Sequence, residues 1–345
     1  SRYGTANANA EEAWEKIRNS ALNCQTALQG PHEAVLCARP NLSVDKVSSW
    51  GGTEIFYNAQ DVLDAAYKML QAKGELSGEN YSYDLTDFAR QALTDYGYYL
   101  LKGINEAATS NNAKAYATRR DAYLQLILDL DALLNTNSNF MLGRWTNMAR
   151  NIADEANGTT ESDKQWLELN NARTLITTWG GNSNSEGAGL RDYSYREWGG
   201  MLKDFYYKRW KTFFYNRDNN ITEQPDWFSN DWAWAHNASL SYSNHPTGTP
   251  ADVATELFGK YFITVSPANA SSRCFYRYIS TDLGTALNVS ATRGATYTFP
   301  TTLPTGVTAT LSIDFNNDGT FDEGETADGL TINVPITAIA TQVLP

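Results

Sequence analysis

Residues 314–325 read DFNNDGTFDEGE and place oxygen-bearing side chains at alternate positions. Asp314, Asn316 and Asp318 offer side-chain oxygens, Thr320 a backbone carbonyl, and Asp322 a direct or water-bridged ligand. Glu325, twelfth in the run, would close the shell bidentately, and Gly319 permits the sharp turn. That is a donor set for structural calcium. The same letters also suit an Asn/Asp-Gly hairpin held by Asx turns with no ion, and both readings stay open.

A second constellation runs from Leu175 to Phe214, LITTWGGNSNSEGAGLRDYSYREWGGMLKDFYYKRWKTFF. Trp179 precedes a double glycine, an Asn/Ser/Gly loop follows, and the Asp192-Tyr193 pair leads into a segment dense in aromatics. Aromatic faces stack on the C–H side of a sugar ring, and glycine lets backbone approach a ligand closely. The plain alternative is a helix–loop–helix whose aromatics fill a core.

Glycoside hydrolysis requires two carboxyl groups flanking the scissile bond. Glu11-Glu12 and Asp129/Asp131 are expected on solvated helix faces, and Glu197 stands beside the aromatic cluster as a lone pocket candidate. His32, His236 and His245 are scattered without a Ser or Cys partner in a triad pattern. No phosphate-binding glycine loop or dinucleotide fingerprint is visible. The missing carboxylate pair disfavours a stand-alone glycosidase, and no catalytic cofactor is expected.

The elements that must carry these residues follow from apolar spacing. Stripes at i, i+3, i+4 and i+7 predict helices through Ala10–Ala21, Val62–Leu70, Leu85–Leu100 (ended by Gly103) and Tyr116–Leu134. More follow at Trp145–Ala156, Trp166–Ile176, Trp198–Phe214 and Val253–Tyr261. Beyond residue 263 the pattern turns to short β-branched and aromatic runs such as ATYTFP, ATLSIDF and LTINVPI. The expectation is a mainly α protein. A multi-helix bundle over 1–262 precedes a linker at 263–272 and a small, truncated β-sandwich-like domain at 273–345.

Composition narrows the partners. Net charge is −12 with 27 Lys+Arg and no basic cluster, which argues against nucleic acid and anionic membranes. No run is long enough to span a bilayer, and the first residues do not form a signal peptide. The first residue is not Met, so a fragment whose targeting signal lies elsewhere is expected. An extracytoplasmic setting is expected too: bacterial periplasmic or surface-borne, or secretory/lysosomal if eukaryotic. Cys24 and Cys37 form either a loop-closing disulfide or two buried thiols. N-x-S/T sequons include those beginning at Asn41, Asn157, Asn237, Asn269 and Asn288.

The wording of 175–214 resembles the C-terminal all-helical domain of the α-N-acetylglucosaminidases, glycoside hydrolase family 89, whose pattern runs LTLWGP, DYANKQ, YY and RW. LITTWGG, DYSYREWGGML and FYYKRWKTFF match it here, and so, in order, do Tyr3-Gly4, Ala13-Trp14, Cys24 with His32, and Arg39 to Leu42. WGGTEIFYNAQDVLDAAYKML, YDLTDFARQAL and SNFMLGRWTNMAR continue the match, which covers about residues 1–262. The β tail instead resembles bacterial surface-type β domains.

The resemblance implies that the catalytic glutamates sit in an upstream barrel and that this chain supplies one wall of a pocket for terminal α-linked N-acetylglucosamine. Carried over by motif, that wall comprises Trp179, Leu190, Asp192 and Tyr193, with His32 reaching in to hydrogen-bond a hydroxyl. The sequence departs from the family where Gly181 replaces a proline and the following insert is longer. Two other readings stand beside this one: a stand-alone glycan-binding or interaction module, and a helical lyase using Tyr193 and His32.

Overall fold

Helix α1 shows how the apolar spacing becomes structure. It spans Ala8–Asn19, buries Ala10, Ala13 and Ile17 on one stripe, and starts where the Asn7 side chain accepts from the Ala10 amide at 3.0 Å. Glu11 in its first turn and Lys16 and Arg18 in its last complement the helix dipole. It packs on α2, Ala59–Gln71, capped by Asn58.

The computed structural model describes residues 2–24, 32–48, 51–156, 159–181 and 189–261, together with 296–298, 310–312, 326–328 and 331–333. After α2 come α3 (Glu79–Thr109), α4 (Ala113–Leu134), α5 (Leu142–Asp154) and α6 (Glu161–Leu167). Then follow α7 (Tyr207–Asp218), α8 (Trp227–Ala235) and α9 (Pro250–Tyr261). Wider π-helical turns extend α6 over Glu168–Arg173 and precede α7 over Leu202–Tyr206. The described helical part is thus a mainly α structure.

Two compact units can be drawn, one of 1–98 with 120–254 and one of 99–119 with 255–345. In the first, Tyr123, Leu126, Ile127, Leu130, Leu133 and Leu134 of α4 are wholly buried, as are Trp210 and Phe214 of α7. The Tyr123 and Trp210 rings meet edge-on at 4.8 Å, and the Trp210 indole N–H donates to the Leu36 carbonyl at 3.0 Å. Each such side chain contributes about 1.5–3 kcal/mol by leaving water. The indole bond ties the Val35–Cys37 turn to the core.

In the second unit α3 does not stop at Gly103, contrary to expectation. The Arg119 guanidinium donates to the Gly103 carbonyl at 2.7 Å and fills the space a side chain at 103 would need. Among its described residues the same unit holds four three-residue strands: β1 (296–298) pairs antiparallel with β4 (331–333), and β2 (310–312) with β3 (326–328). Ser312 faces Thr326, so residues 313–325 connect two paired strands rather than two helices. The proposed calcium ligands Asp314, Asn316, Asp318, Thr320, Asp322 and Glu325 lie outside the described residues, as do the linker 263–272 and Cys274.

Helix α8 was not among the sequence expectations. Its signal is the N-cap: Asp226 accepts from the Ser229 amide at 3.0 Å and from its hydroxyl at 2.7 Å. The expectation that Asp131 lies on a solvated face is also corrected. It is buried, and its carboxylate accepts from the Gly200 and Lys203 amides at 2.7 and 3.0 Å. Asp131 thereby caps the π-helical turn from a distant part of the chain. Cys24 and Cys37 are free thiols, which sets the disulfide reading aside, and burial pushes the Cys37 thiol up.

Candidate functional site: an aromatic wall on buried ion pairs

Trp179 ends the segment that follows α6. Its amide reaches back to the Thr174 carbonyl at 2.8 Å, which turns the backbone through the left-handed region at φ +65°. A non-glycine residue there costs on the order of 1–2 kcal/mol, so surrounding contacts must hold it. Two residues on, Gly181 lies close to α8: an added Cβ there would stand 3.1 Å from the tip of the Trp232 ring.

Asp192 is held the same way. Its amide donates to the Thr177 carbonyl at 2.8 Å, its φ is +50°, and it accepts through its carbonyl from Tyr195 at 2.8 Å. The Thr177 bond places Tyr193 beside Trp179, with ring centroids 5.4 Å apart and planes inclined by 60°. Trp179 is 38% exposed and Tyr193 44%. Two large aromatics thus stand together at the surface, one left-handed itself and the other just after a left-handed Asp192, where a core role would have buried them. Leu190 is half-buried at the start of this turn.

Beneath the wall lies a charge cluster. Arg209 of α7 donates to both oxygens of Asp192 at 3.1 Å each and to both oxygens of Asp231 at 3.0 and 2.7 Å. It also donates to the Cys37 carbonyl at 3.3 Å, while Arg39 reaches Asp231 at 2.9 Å. Burial raises the Asp192 carboxyl to about 6, partly offset by Arg209, with Asp231 adding to the rise. Two carboxylates so close, one with a raised pKa, have the look of an acid/base pair. Their side chains are 0% and 2% exposed and both are gripped by one guanidinium, so a sugar cannot reach them. Asp192 positions the wall from below.

His32 occupies a different setting. Its ring is nearly buried and lies 3.4 Å from both the Tyr57 hydroxyl and an Asp95 carboxylate oxygen. Tyr57 donates to Asp95 at 2.8 Å, and Gln91 donates to Asp95 at 2.9 Å and to Tyr57 at 3.1 Å. These bonds run to α3 rather than to Trp179 or Tyr193. Glu197 is no free pocket carboxylate: it is ion-paired with Arg90 and accepts from the Thr94 hydroxyl, with 7% of its side chain exposed. The Arg209, Arg90 and Asp231 partnerships escaped sequence reasoning because they join residues far apart in the chain.

The chain matches the family model for the α-N-acetylglucosaminidase (NAGLU) C-terminal domain over residues 1–260. It belongs to that family. The Homo sapiens α-N-acetylglucosaminidase is 27% identical over 280 residues, which cover 76% of this chain and 34% of the human protein. Among solved structures, the family 89 glycoside hydrolase of Clostridium perfringens in complex with 2-acetamido-1,2-dideoxynojirmycin superposes with a TM-score of 0.70 at 26% identity. That alignment covers 76% of this chain and 30% of the other. A Glu-to-Gln double variant of the C. perfringens enzyme, in complex with its substrate GlcNAc-alpha-1,4-galactose, gives the same score and coverage. The chain therefore spans about a third of the length of these relatives.

Proposed function

We propose that this chain is the C-terminal part of a glycoside hydrolase that releases terminal α-linked N-acetylglucosamine. The exposed Trp179–Tyr193 pair forms one wall of the pocket for that sugar, and Leu190 and His32 border it. The catalytic carboxylates come from an upstream barrel, and the isolated chain is inactive. The observation that carries this is the pair itself: two aromatics in contact and exposed, Trp179 left-handed and Tyr193 following a left-handed Asp192, within a family whose C. perfringens member is solved with a GlcNAc-terminated substrate. Strained backbone and exposed aromatics cluster where ligands are gripped. No catalytic cofactor is called for, since two carboxyl groups suffice for glycosidic cleavage.

Around this core stand finer elements of the same reading. The helical domain covers 1–262, and the β domain at 273–345, reached through 263–272, carries structural calcium at Asp314–Glu325. The protein acts outside the cytoplasm; among the described residues no helix is long and apolar enough to cross a membrane.

Hydrolysis of a chromogenic α-N-acetylglucosaminide tests the proposal. The intact enzyme should turn it over and this chain alone should not. Trp179→Ala in the intact enzyme should lower kcat/KM on the order of a hundredfold, equivalent to a few kcal/mol of transition-state binding. Turnover by the isolated chain, or an unchanged kcat/KM in the variant, would refute it.

A further inference from the structure

The six residues Asp192 to Glu197 begin on a buried ion pair and end on a part-buried one, and the two anchor to different helices. At the start Asp192 is held by Arg209 of α7 through two bonds of 3.1 Å. At the end Glu197 is held by Arg90 and Thr94 of α3. Arg90 is itself fixed by Asp87, one turn earlier on α3, at 3.0 and 2.8 Å. Between the anchors the backbone bends tightly, with Tyr195 at φ +29° and its amide on the Asp192 carbonyl. Tyr193, one of the two exposed aromatics, is the first residue inside this span.

We infer that the Arg90–Glu197 ion pair is a positioning device: with Arg209–Asp192 it clamps both ends of the 192–197 turn and so fixes Tyr193 against Trp179 before the sugar arrives. The inference rests on the pocket-wall reading above. A turn tethered at one end would leave Tyr193 to be ordered at each binding event, and that ordering is subtracted from affinity. Two tethers on separate helices remove the freedom in advance. The stretch of α3 that holds Glu197 also carries Gln91 and Asp95, the partners of Tyr57 next to His32. One and a half turns of α3 therefore set the spacing between the His32 loop and the aromatic turn.

The test uses Glu197→Gln and Arg90→Gln, singly and together, with Trp179→Ala as reference, all in the intact enzyme. Glu197→Gln keeps the shape and one hydrogen-bonding oxygen while removing the charge. Amide hydrogen exchange over 193–196 should accelerate by about tenfold in each single variant, because the turn now opens locally. KM for the chromogenic substrate and Ki for 2-acetamido-1,2-dideoxynojirmycin should both rise about tenfold while kcat stays within about twofold. The double variant should be no worse than the worse single one, since both changes cut the same tether. Arg90→Lys, which keeps the charge, should recover part of the loss.

Unchanged exchange over 193–196 overturns the clamp. Faster exchange with unaltered KM and Ki, where Trp179→Ala loses activity, overturns the positioning role. A silent Trp179→Ala variant strikes the pocket-wall reading itself, and the exchange rates then judge the clamp alone.

Discussion

Arg209→Met removes the charged hub beneath the aromatic pair and leaves a shorter, unbranched apolar chain in its place. Arg209 makes hydrogen bonds to Asp192, to Asp231 and to the Cys37 carbonyl, and its guanidinium lies 4.2 Å from the centre of the Phe205 ring. Without it Asp231 keeps Arg39 at 2.9 Å, but Asp192 is stranded as a fully buried carboxylate. Breaking one side of a buried pair costs about 3–5 kcal/mol, because the remaining charge stays desolvated. For a domain of this size that is a fall in Tm on the order of 10 °C. Urea unfolding followed by tryptophan fluorescence at pH 7 measures it. Adding Asp192→Asn to the Met variant should recover stability, by about 1–3 kcal/mol, since the stranded charge is gone. A Met variant within about 1 kcal/mol of the parent, or no recovery in the double variant, would refute the view that the charges rather than the packing dominate here.

The raised Asp192 carboxyl gives a pH prediction with a definite sign. Between its ordinary 3.8 and about 6 the folded state keeps a proton that the unfolded chain has lost, so stability falls as pH rises through that window. The slope contributed is at most about 1.4 kcal/mol per pH unit, and Asp192→Asn should flatten it; parallel parent and variant curves over pH 4–7 would exclude it. Gly143→Ala should cost several °C in Tm, because its Cβ would fall 2.0 Å from the Ser243 carbonyl oxygen, which is backbone and cannot swing aside. Calorimetric titration of the chain with calcium should release or absorb heat and raise Tm; neither heat nor stabilisation would leave Asp314–Glu325 as an ion-free turn.

Most helices were legible because a single buried stripe writes itself as i, i+3, i+4, i+7. Tyr123, Leu126, Ile127, Leu130, Leu133 and Leu134 announce α4, and all are buried. Helix α8 was illegible because it is short: its nine residues make about two and a half turns, too few for a period to stand out. Gly103 misled because a glycine near a helix end suggests a cap, whereas here its missing side chain makes room for Arg119. Asp131 misled because spacing on its own helix cannot show that Gly200 and Lys203 will come to its carboxylate.

The candidate site divides along the same line. Trp179 and Tyr193 could be singled out from local chemistry, since a tryptophan before two glycines and an Asp-Tyr pair after a loop are visible in the letters. What holds them could not. Asp192 and Arg209 stand 17 residues apart, Arg209 and Asp231 22, and Arg90 and Glu197 107, and no local period connects them. Buried charge is costly unless its partners are already in place, so these ion pairs exist only because packing by α3, α7 and α8 delivers them together. The expense has a use. A left-handed Trp179 and a left-handed Asp192 each need an external constraint, and an apolar core constrains volume rather than direction. Bidentate Arg–carboxylate pairs constrain direction as well. On the proposed reading, a wall presenting two aromatic faces at a fixed angle is better served by guanidinium and carboxylate than by leucine, even where leucine would make the fold more stable.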